Sequence, residues 1–204
     1  ARMISLEQDG GYWIAVIDRP DKANSLTPEM LERLCDIAEA ARDARVLVLT
    51  GVGRVFSAGA DLDAARAGLA TSPLWERLSG AIARLPGLSI CAMNGTVAGG
   101  AMGMALACDL RLSVPGAKVF YPVMKLGFLP QPSDPARLRA LVGPARAKMI
   151  LMAGQKIPAE QALSWGLIDQ ITDPDVLMTT ARALAADTLK ASPGHAAAIK
   201  ALIR

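Results

Sequence analysis

Twice in this chain a run of strand-forming residues leads through a turn of small residues into the start of a helix. Val46-Leu47-Val48-Leu49-Thr50 is followed by Ser57-Ala58-Gly59-Ala60-Asp61, and Ser89–Asn94 by Gly95-Thr96-Val97-Ala98-Gly99-Gly100-Ala101. Unbroken apolar runs of this length mark strands covered on both faces, so the chain needs helices packed over a sheet. Helix starts expose N–H groups that lack an internal partner, and glycine and alanine let a ligand approach that backbone closely. Two such turns facing one another would aim a pair of donors at one oxygen. That is the requirement of an oxyanion hole, where a single donor contributes ~2.7–4 kcal/mol of transition-state stabilisation. The same turns also suit plain strand-to-helix connections with glycines for packing, and the residues alone leave both readings open.

The rest of the pattern extends the α/β reading. Ile4–Glu7 and Tyr12–Asp18 flank Asp9-Gly10-Gly11 and read as a hairpin. Thr27-Pro28-Glu29 supplies a cap and an N-terminal proline for a helix to about Arg42, with Leu31, Leu34, Cys35 and Ala38 on one face. Further helices are expected from Asp61, over Pro73–Arg84 and over Gly99–Cys108, with short strands at Leu110–Val114 and Lys118–Tyr121. Beyond Pro130 the chain reads as mostly helical: Asp134–Val142, Pro144–Ala153, Pro158–Trp165, Val176–Ala191 and a piece after Pro193. A short strand is expected at Leu167–Ile171. No repeat of fixed period or long linker divides the 204 residues, a length that suits one domain with a sizeable core.

Composition excludes several classes. A net charge of +3, with no basic run interleaved with aromatics, gives no footprint for nucleic acid. Cys35, Cys91 and Cys108 are far apart and lack CxxC spacing, which points to buried, reduced thiols in a cytoplasmic protein and away from a metal site. Ala1-Arg2-Met3-Ile4-Ser5 opens directly into a strand-like pattern, so no signal peptide is expected. The small-residue run Val97–Cys108 is well short of the ~20 residues that span a bilayer; no membrane association is expected. Gly51-Val52-Gly53-Arg54-Val55-Phe56 fails the dinucleotide fingerprint at its third glycine, and Val55 breaks a GxSxG elbow around Ser57. The one histidine, His195, is expected to be exposed.

Four segments together carry a family resemblance. Phe56-Ser57-Ala58-Gly59-Ala60-Asp61-Leu62 resembles the first signature of the crotonase (enoyl-CoA hydratase/isomerase) superfamily. Asn94 to Gly103, continuing to Ala107-Cys108-Asp109, resembles the second. Asp18-Arg19-Pro20-Asp21-Lys22-Ala23-Asn24-Ser25-Leu26 is similar to its N-terminal motif. Gly154 to Ala162 and Trp165-Gly166-Leu167-Ile168-Asp169 are similar to its later part. The resemblance implies an α/β fold, a spiral of ββα units over residues 1–142 with a helical C-terminal part over 143–204, in a homotrimer or a dimer of trimers. Family members usually continue for several helices beyond the point matching Ala191-Ser192-Pro193, so this helical part is expected to be short. The resemblance also implies an acyl-CoA substrate, with coenzyme A as part of that substrate and no separate cofactor. The backbone N–H groups of Ala60 and Gly100 would be the oxyanion donors. Backbone around Ala23, Ala58, Asp61, Leu62 and Gly99 would line the CoA channel. Lys22 is a candidate for the CoA phosphates, or a solvated turn lysine.

The sequence departs from the family at the two glutamates that move protons in its hydratases. Those positions hold Gly103 and Val123 here, and neither side chain can transfer a proton. Hydration needs both an acid and a base, each contributing ~10²–10⁴-fold, so ordinary hydratase chemistry is not expected. What remains is a lyase, isomerase or hydrolase of unassigned reaction, or an inactive thioester binder or assembly partner. Asp134, in Pro130-Gln131-Pro132-Ser133-Asp134-Pro135, is a candidate acid/base, but Asp-Pro ahead of a helix is also a good N-cap. Tyr121 and Lys125 flank Val123 and are expected to pack or to be solvated; Asp63 and Glu76 are expected on helix surfaces. Gly103 costs its helix ~1 kcal/mol relative to alanine. Either an acyl group approaches there, or helices pack closely through Gly99, Gly103 and Ala107.

Overall fold

The structure, a computed structural model, describes residues 3–203; Ala1 and Arg2, ahead of the expected first strand, and Arg204 lie outside them. Strands β1 (Ile4–Asp9) and β2 (Tyr12–Ile17) form the expected hairpin, closed by Gly10-Gly11. Helix α1 (Pro28–Ala40) starts at Thr27, whose hydroxyl accepts the Met30 N–H at 3.3 Å, and buries Leu31, Leu34, Cys35 and Ala38.

Three ββα units follow. The first is β3 (Val46–Gly51), β4 (Val55–Ser57) and α2 (Leu62–Arg66), after which comes α3 (Leu74–Ala83). The second is β5 (Leu88–Met93), β6 (Thr96–Ala98) and α4 (Ala101–Ala107). The third is β7 (Leu110–Ser113), β8 (Lys118–Phe120) and α5 (Val123–Leu126). Then come α6 (Asp134–Val142), α7 (Pro144–Leu151), β9 (Ile157–Pro158), α8 (Ala159–Ser164), β10 (Gln170–Ile171), α9 (Leu177–Lys190) and α10 (Pro193–Ile203).

The first strand of each unit enters one sheet and the second strand enters another. The larger sheet runs β1-β2-β3-β5-β7-β10, parallel except for the hairpin; the smaller runs β4-β6-β8-β9, with only β8 and β9 antiparallel. Stacking the units in register brings the turns after β4 and β6 side by side. Helix α9 packs on β3, β5 and β7, while α3, α4 and α6 follow one another as neighbours. Val46 to Thr50 and Ser89 to Met93 are buried throughout, as strands covered on both faces must be. Helix α4 is also buried at every residue, which explains its lack of polar side chains.

Several expectations change. The segments after β3 and β5, read from sequence as leading through turns of small residues, each contain a short strand that builds the second sheet. The expected strand over Leu167–Ile171 shrinks to β10, because Gly166 turns the chain (φ +78°) and the Leu167 carbonyl is taken by the buried Arg111 guanidinium at 2.8 Å. Val123–Leu126, not expected to be helical, forms a single turn ended by Gly127 in the left-handed region.

Candidate active site

The two small-residue turns meet. Gly59 has φ +94° and Gly99 φ +61°, conformations open to glycine at little cost. A β-carbon on Gly59 would lie 2.9 Å from the Ala98 carbonyl oxygen, so the approach of one turn to the other requires a glycine. Buried Asn24 holds the first turn from behind. Its amide donates to the carbonyls of Val52 (3.0 Å) and Val55 (2.7 Å), its Oδ1 accepts the Arg19 N–H (2.8 Å), and its own carbonyl accepts from Ser57 Oγ (2.8 Å). Ser57 is thus a buried strut, and its hydroxyl is engaged in the backbone.

Around these turns most N–H groups have acceptors, apart from those of Ala60, Gly100 and the first helical residues Leu62 and Ala101 among the described residues. Ala58 N–H donates to Ala23, Gly59 N–H to Ser57 Oγ, Asp61 N–H to Leu26 and Gly99 N–H to Phe120. The N–H groups of Ala60 and Gly100 find no acceptor among the described residues. Both residues line one cavity of about 310 Å³. Ala60 and Gly100 are half-buried, and their unpaired amides lie on the wall of the same cavity. Trp75 closes the wall beside Gly100: its ring would meet a β-carbon there at 3.0 Å, and its indole N–H is fixed by the Leu69 carbonyl at 2.8 Å. A larger cleft of about 720 Å³ lies under α10, between Pro86–Leu88 and α9, well away from these turns. Two of its charged groups, Asp109 and Lys200, pair with each other at 2.8 Å.

Of the other residues singled out from sequence, Ala23, Ala58, Leu62, Gly99 and Val123 are on the cavity wall. Asp61 is not. Its carboxylate caps α2 through the Ala64 N–H (3.1 Å) and pairs with Arg19 (3.0 Å), which together hold its pKa below the ordinary carboxylate value. Lys22 is exposed, in a turn just before Ala23. His195 is exposed and all three cysteines are buried free thiols.

Asp134 overturns the reading of it as a helix cap. Ser133 occupies the cap position, and the Asp134 carboxyl, 1% exposed, bonds no backbone N–H of α6. Its Oδ2 accepts the Tyr121 hydroxyl at 2.8 Å, and its Oδ1 has no partner among the described residues. Burial pushes its pKa up to about 6; the Tyr121 hydrogen bond opposes this, Glu76 adds to it and Arg137 opposes it. Tyr121, also buried, accepts the Gln131 N–H at 3.1 Å, and its own pKa is raised by burial and then by Asp134. Glu76, expected on a helix surface, is half-buried and engaged there: it accepts from both the N–H (2.7 Å) and hydroxyl (2.6 Å) of Ser133. The carboxyl of Asp134 is what approaches Gly103, lying 2.8 Å from where a β-carbon would be. Sequence reasoning missed the Tyr121–Asp134 pair, since thirteen residues of separation carry no periodic signal; the missing bulk at Gly103 was the available clue.

A profile of the enoyl-CoA hydratase/isomerase family matches residues 10–204. The chain belongs to that family. The 1,2-epoxyphenylacetyl-CoA isomerase of Escherichia coli K12 is 34% identical over 187 residues, covering 86% of this chain and 71% of that protein. Among solved structures, DspI of Pseudomonas aeruginosa superposes with a TM-score of 0.90 at 33% identity, over 100% of this chain and 86% of that one. An enoyl-CoA hydratase of Bacillus anthracis gives a TM-score of 0.91 at 29% identity, over 99% and 82%. The fold is therefore the crotonase fold of this family, as the four sequence segments implied. Among the described residues, no helix is long and apolar enough to cross a membrane.

Proposed function

We propose that this member of the enoyl-CoA hydratase/isomerase family binds an acyl-CoA thioester in the 310 Å³ cavity and stabilises its enolate through the N–H groups of Ala60 and Gly100. The observation that carries the reading is the pair of unpaired amides on one wall. A thioester oxygen gains negative charge as the α-carbon loses a proton, and donors fixed in the backbone stabilise that charge without reorganising. Leu62, Leu126, Phe128 and Leu129 line the same cavity and are exposed, which suits an acyl chain and assembly with further copies of the chain. Names such as 1,2-epoxyphenylacetyl-CoA isomerase and enoyl-CoA hydratase among its relatives support a CoA thioester.

Hydration through the family's two glutamates is not proposed, since Gly103 and Val123 hold those positions. That same pair of substitutions favours a second reading, a thioester binder without turnover. Calorimetric titration with butyryl-CoA, octanoyl-CoA, phenylacetyl-CoA and free CoA tests the proposal. The thioesters should bind at least tenfold more tightly than CoA; equal or absent binding across the panel contradicts it.

A further inference from the structure

We propose that Tyr121 and Asp134 form a proton relay that serves the α-carbon of the bound thioester in place of the glutamate missing at residue 103. This inference rests on the thioester-binding reading and adds a reacting group to it. Tyr121 and Gln131 are on the cavity wall. The Tyr121 hydroxyl donates to Asp134 Oδ2 at 2.8 Å while it accepts the Gln131 N–H at 3.1 Å. A phenolic oxygen has two lone pairs; the Gln131 N–H takes one, which leaves the other to accept a proton.

Two destabilising features coincide at this point. A buried carboxyl oxygen without a partner costs about 1–3 kcal/mol or more, and Asp134 Oδ1 is such an atom. The glycine that makes room for it sits inside α4, where any side chain would displace the carboxyl. A carboxylate retained only for packing would cap α6 or pair with a cation, and Asp134 does neither. Buried carboxyls kept in clefts against such costs concentrate at proton-transfer sites.

The step balances without a further reagent. The α-C–H bond breaks and its electron pair stays on the substrate as the enolate, whose oxygen accepts from Ala60 and Gly100. The proton passes to the Tyr121 oxygen as the Tyr121 proton passes to Asp134 Oδ2, so the negative charge moves from carboxylate to enolate. Reprotonation reverses every transfer. The charged groups facing Asp134 are Glu76 from α3 and Arg137 from α6; α4 contributes none, as its sequence Ala101–Ala107 has no titratable side chain.

The test follows loss of the α-methylene proton signal of butyryl-CoA in deuterated buffer, with calorimetric binding of butyryl-CoA measured beside it. The wild type should exchange, at a rate rising with pH through an inflection near the Asp134 value of about 6. Asp134→Asn and Tyr121→Phe should each slow exchange at least ~100-fold, with binding within about threefold, and Asp134→Asn should lose the inflection. Wild-type exchange rates in either variant overturn the relay and leave the thioester reading standing. Binding by the wild type without exchange also overturns the relay. Absence of butyryl-CoA binding by the wild type overturns both. If Asp134→Asn fails to fold, the Tyr121→Phe rate decides alone.

Discussion

A β-carbon on Gly103 would lie 2.8 Å from Oδ1 and 3.1 Å from Oδ2 of Asp134, so α4 and α6 fit together only because residue 103 has no side chain. The absence of a glutamate at one position and the presence of an aspartate thirty-one residues later are thus one structural fact.

Gly103→Ala measures that fit. The substitution gains ~1 kcal/mol of helix propensity but forces a buried carboxyl to move, and overpacking of this kind costs ~1–3 kcal/mol. A net loss of up to about 2 kcal/mol is expected in urea denaturation. In the Asp134→Ala background the same change should be neutral or stabilising. Additive effects of the two substitutions would show that the residues do not compete for the space.

Asp134→Asn should stabilise the protein at neutral pH. The folded-state pKa of Asp134 is raised, to about 6 from 3.8, so between those values the folded state holds more protons than the unfolded. Its contribution to stability is therefore largest below about pH 4 and is lost as pH rises through about 6. A shift of about two units corresponds to roughly 3 kcal/mol at pH 7. Urea melts at pH 4.5 and 7.5 should show the asparagine variant gaining on the wild type at the higher pH; a gap independent of pH would contradict the assignment.

Asn24→Ala should weaken both the fold and ligand binding. It removes three hydrogen bonds made by the buried side chain, at a backbone φ of +54° that asparagine tolerates better than alanine. A loss of about 2–4 kcal/mol is expected. Butyryl-CoA affinity should fall as well, because the Ala58 N–H is held by the Ala23 carbonyl next to Asn24. Unchanged affinity in the folded variant would mean that the turn keeps its shape without this strut.

Lys22→Ala separates the phosphate role from a solvated lysine. Lys22 is exposed beside Ala23 at the cavity, and exposed ion pairs contribute ~0.2–1 kcal/mol. Affinity for butyryl-CoA should fall about 2- to 5-fold, while affinity for butyryl-pantetheine, which lacks the nucleotide phosphates, should not change. Equal effects on both ligands would exclude a phosphate contact.

How much of this was legible in the residues follows their physics. Val46–Thr50 and Ser89–Asn94 announce covered strands through the unbroken apolar runs Val46–Leu49 and Ile90–Met93, and Thr27-Pro28 announces α1 through its cap. The strands β4, β6 and β9 are two or three residues long, too short to show a period of two. The paired turns could be suspected from their small residues, but the unpaired state of the Ala60 and Gly100 amides needs the neighbouring acceptors to be placed. Asp134 was misread because Asp-Pro before a helix satisfies the local rule for a cap; the helix begins at Asp134 itself, with Ser133 ahead of it, and the carboxyl turns inward to Tyr121. Local chemistry names a cap, and only tertiary packing shows it unused.

The most direct measurement of the central claim is the infrared difference spectrum of bound butyryl-CoA carrying ¹³C at the thioester carbonyl. Two converging N–H donors polarise that bond, so the labelled carbonyl band should move to lower frequency on binding and broaden no further than a single ordered environment allows. A bound thioester whose carbonyl band stays at its solution frequency would contradict the oxyanion hole at Ala60 and Gly100.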